Sequence, residues 1–360
     1  MKYQEFLSQF SSESITRTSS RNFSTNKIHI DQSALKIDEK VFSMFEEYAK
    51  KNNFIENFNE LISGERLNNT ENRAVTHFNY RDAKSDIYEA SLNKMGTLAS
   101  VIKSKFKKIL IFGIGGSYLG PKLMNDIFSS QDIEIDFITG SDSAEYQNYI
   151  EQDLSDCAFI ITSKSFSTIE TLTSYSAITK GKLLDQTFAV TSAVDKAEAF
   201  GIDSNNIAQV DLGTGGRFSI WSAVNLGLFI SLGRPGFENF LSGARSIDDL
   251  SSTDVDSNPA LSLAIQDLIM NNVLEMDSTL ILNYDYKLRN YSSYAQQLEM
   301  ESLGKSIDRD TGQALSNETG SIVWGGYGPR SQHSFFQHLF QGTKEANTYF
   351  IVSKTDNLNF

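Results

Sequence analysis

From residue 107 onward, short apolar runs alternate with helical patterns, and this alternation limits the possible folds more than any other feature of the chain. The runs lie at 108–114, 133–139, 158–162 and 187–191. Such an order implies right-handed βαβ units and a parallel sheet covered on both faces. Helical patterns follow at 220–232 and 259–276, the second with Asn258 as a candidate N-cap and Pro259 in the first helical position. A second β-α series opens at Thr279-Leu280-Ile281-Leu282-Asn283, with a helix near 294–304 and a strand at 347–353. Residues 1–90 read as a mainly helical, polar leader, in which Val41, Met44, Phe45 and Tyr48 keep helical spacing. The expected organisation is therefore a leader at 1–90, a first α/β domain at 91–255 and a partial second α/β domain at 256–360. A domain starting near residue 279 has only about 80 residues, against the usual 100 or more, so a truncated form of a longer protein is expected.

The composition is that of a soluble globular protein, and the net charge of −13 speaks against a nucleic-acid surface. A local basic pocket for a small anion remains compatible with it. Cys157 is the sole cysteine, which excludes an intrachain disulfide and suggests a reducing compartment. Beside Ala158 and Phe159 it reads as a small core residue before it reads as a reactive thiol. The chain starts with charge at Lys2 and Glu5, and no apolar run reaches about 18 residues, so neither a signal peptide nor a membrane span is expected, and the cytoplasm is the default. The four histidines, at 29, 77, 333 and 338, form no zinc pattern with the cysteine, and no metal is expected.

Five segments carry candidate chemistry. Ser163-Lys164-Ser165-Phe166-Ser167-Thr168-Ile169-Glu170-Thr171 lies between the 158–162 run and a helical pattern. Hydroxyls and free N–H groups at a helix start favour a phosphate or carboxylate; the plainer alternative is a loop whose hydroxyls cap the helix. Gly113-Ile114-Gly115-Gly116-Ser117-Tyr118-Leu119-Gly120-Pro121 follows the first strand. It fits neither a dinucleotide fingerprint, which needs glycine where Tyr118 stands, nor a P-loop, which needs lysine where Pro121 stands. A turn that admits a ligand to the backbone, with Ser117 as donor, stands beside a plain tight turn. Gly215-Gly216-Arg217 sets an arginine by paired glycines, suited to an oxyanion or phosphate, or else to a surface ion pair. Gln297 and Glu301 share a helical face, as a carboxylate base with a neighbouring amide or as a surface Glu301–Lys305 pair. His333 follows a glycine-rich loop expected at 325–329 and reads equally as an acid–base group or a structural histidine.

Taken in order, these segments, together with Gly64-Glu65-Arg66-Leu67-Asn68-Asn69-Thr70-Glu71-Asn72-Arg73-Ala74-Val75-Thr76-His77, resemble the phosphoglucose isomerase family over roughly residues 60–355. The resemblance implies two α/β/α sandwich domains of the sugar-isomerase type with parallel-rich sheets, the second incomplete here. It implies a homodimer, no cofactor, and interconversion of glucose 6-phosphate and fructose 6-phosphate. Ser163, Ser165 and Thr168, with Ser117 near Gly116, would hold the sugar phosphate, and Lys164 would line that loop. Glu301 would move the proton between C2 and C1, Arg217 would stabilise the cis-enediolate, and Gln297 would hold sugar hydroxyls. His333 would open the ring from the neighbouring subunit, oriented by Glu170. Some residues depart from the family pattern: Gly328-Pro329-Arg330-Ser331 precedes Gln332 where Gly-Thr-Asn-Gly is commoner, Leu303 replaces a common asparagine, and Thr214 stands at a usually aliphatic position. The family's late catalytic lysine has no counterpart in context, Lys344 and Lys354 being the only late lysines, so the chain is expected to be weak or inactive by itself. The alternatives are a non-catalytic sugar-phosphate-binding protein of the same domain type, an inactive truncated fragment and a nucleotide-binding dehydrogenase.

Overall fold

A computed structural model describes residues 2–10, 21–25, 28–35, 37–68, 70–128 and 132–354. The Ser- and Thr-rich stretch of the leader at 11–20 lies outside them. The N-terminal part holds α1 (Tyr3–Leu7), the antiparallel pair β1 (Asn22–Ser24) and β2 (His29–Asp31), α2 (Glu39–Lys51) and α3 (Phe54–Ser63). Next come α4 (Asp86–Lys105), β3 (Lys108–Phe112), α5 (Leu119–Phe128), β4 (Glu134–Ile138), α6 (Ser143–Ile150), β5 (Cys157–Thr162), α7 (Ile169–Thr179), β6 (Thr187–Thr191), α8 (Val194–Phe200) and β7 (Ile207–Gln209). The remainder is α9 (Leu226–Ser251), α10 (Pro259–Asn272), β8 (Ser278–Asn283), α11 (Tyr291–Leu303), β9 (Ile322–Tyr327), α12 (Gly328–Gln332), α13 (Phe336–Gln341) and β10 (Asn347–Ile351).

These elements form two compact units, 64–245 and 1–63 with 246–360. The first is built on a five-stranded, all-parallel sheet in the order β4-β3-β5-β6-β7. Every residue of β5 and β6 is buried, which is what parallel strands covered on both faces require. Phe112, Phe159, Ile161 and Ala189 pack with Tyr175 and Ile178 of α7. Tyr175 is fully buried, and its hydroxyl is satisfied by Thr187 Oγ1 at 2.8 Å. Cys157 belongs to this core, and burial pushes its thiol up to about 11, so it is an inert packing group.

The second unit has a three-stranded parallel sheet in the order β10-β8-β9. Ile281 and Val323 of this sheet pack on Ala295 of α11. The units differ from the expected boundaries at 90 and 255, since residues up to Ser63 cluster with the C-terminal part. The cause is the apolar stripe of α2. Phe42 and Phe45 are completed by Ile265, Ile269 and Met270 of α10, more than 200 residues later. A chain of buried amides runs the same way: Gln32 Nε2 donates to Gln266 Oε1 (2.7 Å), and Gln266 Nε2 to Asn347 Oδ1 (3.1 Å).

Two expected elements are corrected. The helix expected at 220–232 begins as 3-10 turns at Gly216–Trp221 and Ala223–Asn225, and α9 then carries a break at Gly233 (φ 68°), two residues before Pro235. The glycine-rich stretch expected to be a loop at 325–329 is strand and helix, β9 and α12. At Gly325 a Cβ would stand 2.0 Å from the Ile281 carbonyl oxygen, so only glycine lets β9 lie this close to β8.

Candidate functional site

In the larger sheet β4 and β5 lie on opposite sides of β3, so the strand order reverses there. Ligands of open α/β sheets bind outside the carboxyl ends of the strands at such a switch point. The two loops at that point are Gly113–Tyr118 after β3 and Ser163–Thr168 after β5, the segments singled out from the sequence.

The Ser163–Thr168 loop is held without use of its hydroxyls on the helix. The Ser163 N–H donates to the Val190 carbonyl (3.0 Å), and the Lys164 carbonyl accepts from the Thr191 hydroxyl (3.1 Å) and the Ser192 N–H (3.0 Å). Phe166 turns the loop with φ 47°. A bulky residue in that region costs about 1–3 kcal/mol. Its ring is 4% exposed and meets Phe200 at 5.6 Å, and burial of such a ring contributes about 1.5–3 kcal/mol, enough to offset the strain. Thr168 is the N-cap of α7, yet its hydroxyl makes no capping bond; it pairs with Ser163 Oγ at 2.9 Å. The plain capping alternative is therefore not what the loop does. The first-turn N–H groups of α7 lack side-chain caps at the positive end of the helix dipole, an arrangement suited to an anion. Ser165 accepts from Ser167 Oγ at 2.8 Å, and Glu170 is exposed in the first turn of α7.

Glycine contacts seat the Arg217 backbone beside the turn after β3. A Cβ on Gly116 would stand 2.2 Å from the Gly216 carbonyl oxygen and 2.8 Å from the Arg217 nitrogen. The turn after β3 and the Gly215–Arg217 backbone thus touch directly. A pocket of about 260 Å³, solvent included, opens among Ser117, Lys164, Thr214, Gly216 and Ser219, with Val190, Val210 and Val224 as its apolar wall. Burial, then the positive charge of Arg73, lowers the pKa of Lys164 below the usual lysine range, while Glu71 and Asp211 act the other way. An arriving anion relieves such a lysine.

The segment around Thr76 braces the loop that carries Arg217, a role that the sequence did not reveal. Thr76 Oγ1 donates to Asp211 Oδ1 (2.8 Å) and lies 2.9 Å from Thr214 Oγ1, and the Asp211 N–H donates to the Tyr80 hydroxyl (2.9 Å). Beside it, His77 is pushed down to about 3 from 6.5 by burial and then by Arg81. Below pH 6.5 the unfolded chain takes up a proton that the folded chain refuses, so this residue lowers stability progressively towards pH 3 and contributes nothing above 6.5. The loss reaches about 2 kcal/mol at pH 5. Urea unfolding is expected to show a shallower loss of stability between pH 7 and pH 5 in His77→Phe than in the parent; equal slopes contradict the assignment.

Gln297, Glu301 and His333 belong to the other compact unit. Gln297 Nε2 donates to Glu301 Oε2 at 3.0 Å along α11, so the structure brings these two together. Glu301 is exposed, and Lys305 reaches its backbone carbonyl through the ammonium group. His333 is exposed and forms the C-cap of α12.

A parallel α/β sheet thus brings an uncapped helix start, a pair of hydroxyls and the Arg217 backbone to its switch point, an arrangement suited to an anion. The Phosphoglucose isomerase family profile matches residues 31–359, and the chain belongs to that family. It is 33% identical over 359 residues to glucose-6-phosphate isomerase of Christiangramia forsetii, covering 91% of this chain and 66% of the relative. The Buchnera aphidicola glucose-6-phosphate isomerase is 32% identical over 371 residues, with 94% and 66% covered. The chain thus spans just under two thirds of the length of these curated relatives. Among solved structures, a glucose-6-phosphate isomerase from Chlamydia trachomatis superposes with TM-score 0.83 at 26% identity, covering 96% of this chain and 74% of that one. A hypothetical protein from Thermus thermophilus shares the fold, with TM-score 0.68 at 20% identity and 88% and 74% covered. Among the described residues no helix is long and apolar enough to cross a membrane.

Proposed function

We propose that the protein interconverts glucose 6-phosphate and fructose 6-phosphate through a cis-enediolate. The observation that carries this reading is the uncapped start of α7 with the Thr168–Ser163 hydroxyl pair, next to the Arg217 backbone seated on Gly116. On this reading the hydroxyls of Ser117, Ser163, Ser165 and Thr168 hold the phosphate, and Lys164 adds charge. Glu301 takes the C2 proton as a carboxylate and returns it to C1 as an acid, while a second proton passes between the C1 and C2 oxygens. Arg217 stabilises the negative charge on those oxygens, which is where a preorganised donor has most effect. Gln297 holds sugar hydroxyls. His333, from the neighbouring subunit of a homodimer and oriented by Glu170, opens the ring.

Thr168→Ala is expected to weaken sugar-phosphate binding by about 1–3 kcal/mol through loss of one charge-assisted hydrogen bond. Titration calorimetry with fructose 6-phosphate measures it, and an unchanged affinity removes Thr168 from the assignment. The function itself is tested by a thermal-shift series. Fructose 6-phosphate at 100 times its dissociation constant is expected to stabilise the fold by about 2.7 kcal/mol, and by more than inorganic phosphate at equal concentration. Stabilisation by NAD alone overturns the reading.

A further inference from the structure

The sugar-phosphate assignment uses Arg217 but not the stack of rings behind it. The Arg217 guanidinium carbon lies 5.0 Å from the centroid of the Phe218 ring. Phe218 stacks almost parallel on His77, with centroids 4.7 Å apart and ring planes at 16°. His77 in turn meets Phe78 at 4.1 Å, and Arg81 lies 5.0 Å from Phe78 and 4.7 Å from Trp221. All six residues belong to the unit 64–245. The backbone on either side of the stack is fastened by the Thr76 bonds to Asp211 and Thr214. The column therefore runs from a fixed segment to the guanidinium without a gap.

His77 Nδ1 is buried and has no hydrogen-bond partner. Satisfying a hydrogen bond is therefore not what this nitrogen does, and the ring instead stacks on Phe218 and meets Phe78 at a tilt. Held neutral, the ring stacks as an aromatic and adds no positive charge beside the arginine.

We propose that His77 is a positioning residue that braces Phe218 and thereby fixes the direction of the Arg217 guanidinium. The functional consequence rests on the reading of Arg217 as the group that stabilises the enediolate. Misplacement of a stabilising group by about 1 Å costs up to about 100-fold in catalysis. A brace acting through a ring face predicts that another flat ring will do and that a small side chain will not.

The test compares the parent chain with His77→Ala, His77→Phe and Phe218→Leu by two measurements. The first is the Arg217 Nε–Hε cross-peak in a ¹⁵N correlation spectrum, assigned by its loss in Arg217→Lys. The ring current of Phe218 is expected to shift it in the parent and in His77→Phe, and the shift is expected to collapse in His77→Ala and Phe218→Leu. The second is affinity for arabinonate 5-phosphate, whose planar carboxylate imitates the enediolate, alongside affinity for inorganic phosphate. His77→Ala is expected to lose about 10-fold to 100-fold for the carboxylate compound and to keep phosphate binding within about 3-fold. His77→Phe is expected to restore both. A cross-peak that stays in place in His77→Ala overturns the brace, as does a His77→Phe variant as impaired as His77→Ala. If His77→Ala does not fold, His77→Met, which keeps bulk but presents no flat ring, decides the same question by the same two measurements. A parent chain that binds phosphate but not the arabinonate removes the enediolate reading, and the cross-peak still decides the brace.

Discussion

Replacement of Glu301 by glutamine is expected to remove almost all isomerisation while leaving sugar-phosphate binding nearly intact. The introduced amide keeps the size of the side chain, and its oxygen still accepts from Gln297 Nε2, which now lies 3.0 Å from Glu301 Oε2. Local geometry on α11 therefore survives. What is lost is the ability to accept the C2 proton, and a positioned general base is worth about 10²–10⁴-fold in rate. The phosphate is assigned to groups in the other compact unit, around Ser163 and Thr168, which this substitution does not touch. Turnover followed by NMR, with affinity from thermal shift, separates the two effects. Near-parental turnover in Glu301→Gln ends the assignment of Glu301 as the base.

Gly116→Ala is expected to have the second-largest effect, through geometry alone. The added carbon would stand 2.2 Å from the Gly216 carbonyl oxygen, 2.3 Å from its carbonyl carbon and 2.8 Å from the Arg217 nitrogen. These are backbone atoms, with no rotamer to escape into, so the turn after β3 and the Arg217 segment must part. Overpacking of this kind costs about 1–3 kcal/mol or more. The accompanying shift of Arg217 should lower turnover by about 100-fold. Gly216→Ala is the control: its added carbon meets nothing within 4 Å and should change stability little. Equal thermal midpoints for parent and Gly116→Ala, with equal turnover, contradict the contact.

The main lines of this fold are readable in the residues, because burial on both faces leaves runs with no polar interruption. Ala158 to Thr162 and Thr187 to Thr191 are such runs, and the strands found there begin and end within a residue of them. The strand β7 escapes notice because three residues at a sheet edge carry no pattern. The strand β9 escapes because Gly325 and Gly326 look like a turn, and only the approach to Ile281 explains them. The twenty-residue α4 is masked by Ser91, Asn93, Gly96 and Thr97, which dilute its apolar pattern, although Ser85 caps it. Long-range pairings are the least legible. The stripe of α2 announces that a partner exists, but nothing in it names Ile265 and Ile269. The site follows the same division. The hydroxyl loop and the glycines are visible as residue types, whereas the contact of Gly116 with Gly216 and the stacking of His77 on Phe218 join segments that lie far apart in the chain.

Isomerisation through an enediolate leaves a mark that no binding protein and no hydride-transfer enzyme produces. The chain is incubated with fructose 6-phosphate in deuterium oxide, and the sugar protons are followed by NMR for hours, so that slow turnover still accumulates. The account predicts that glucose 6-phosphate appears, with part of it carrying deuterium at C2, because the proton held by Glu301 exchanges with solvent before it is returned. Bound fructose 6-phosphate with neither conversion nor deuterium incorporation would contradict it.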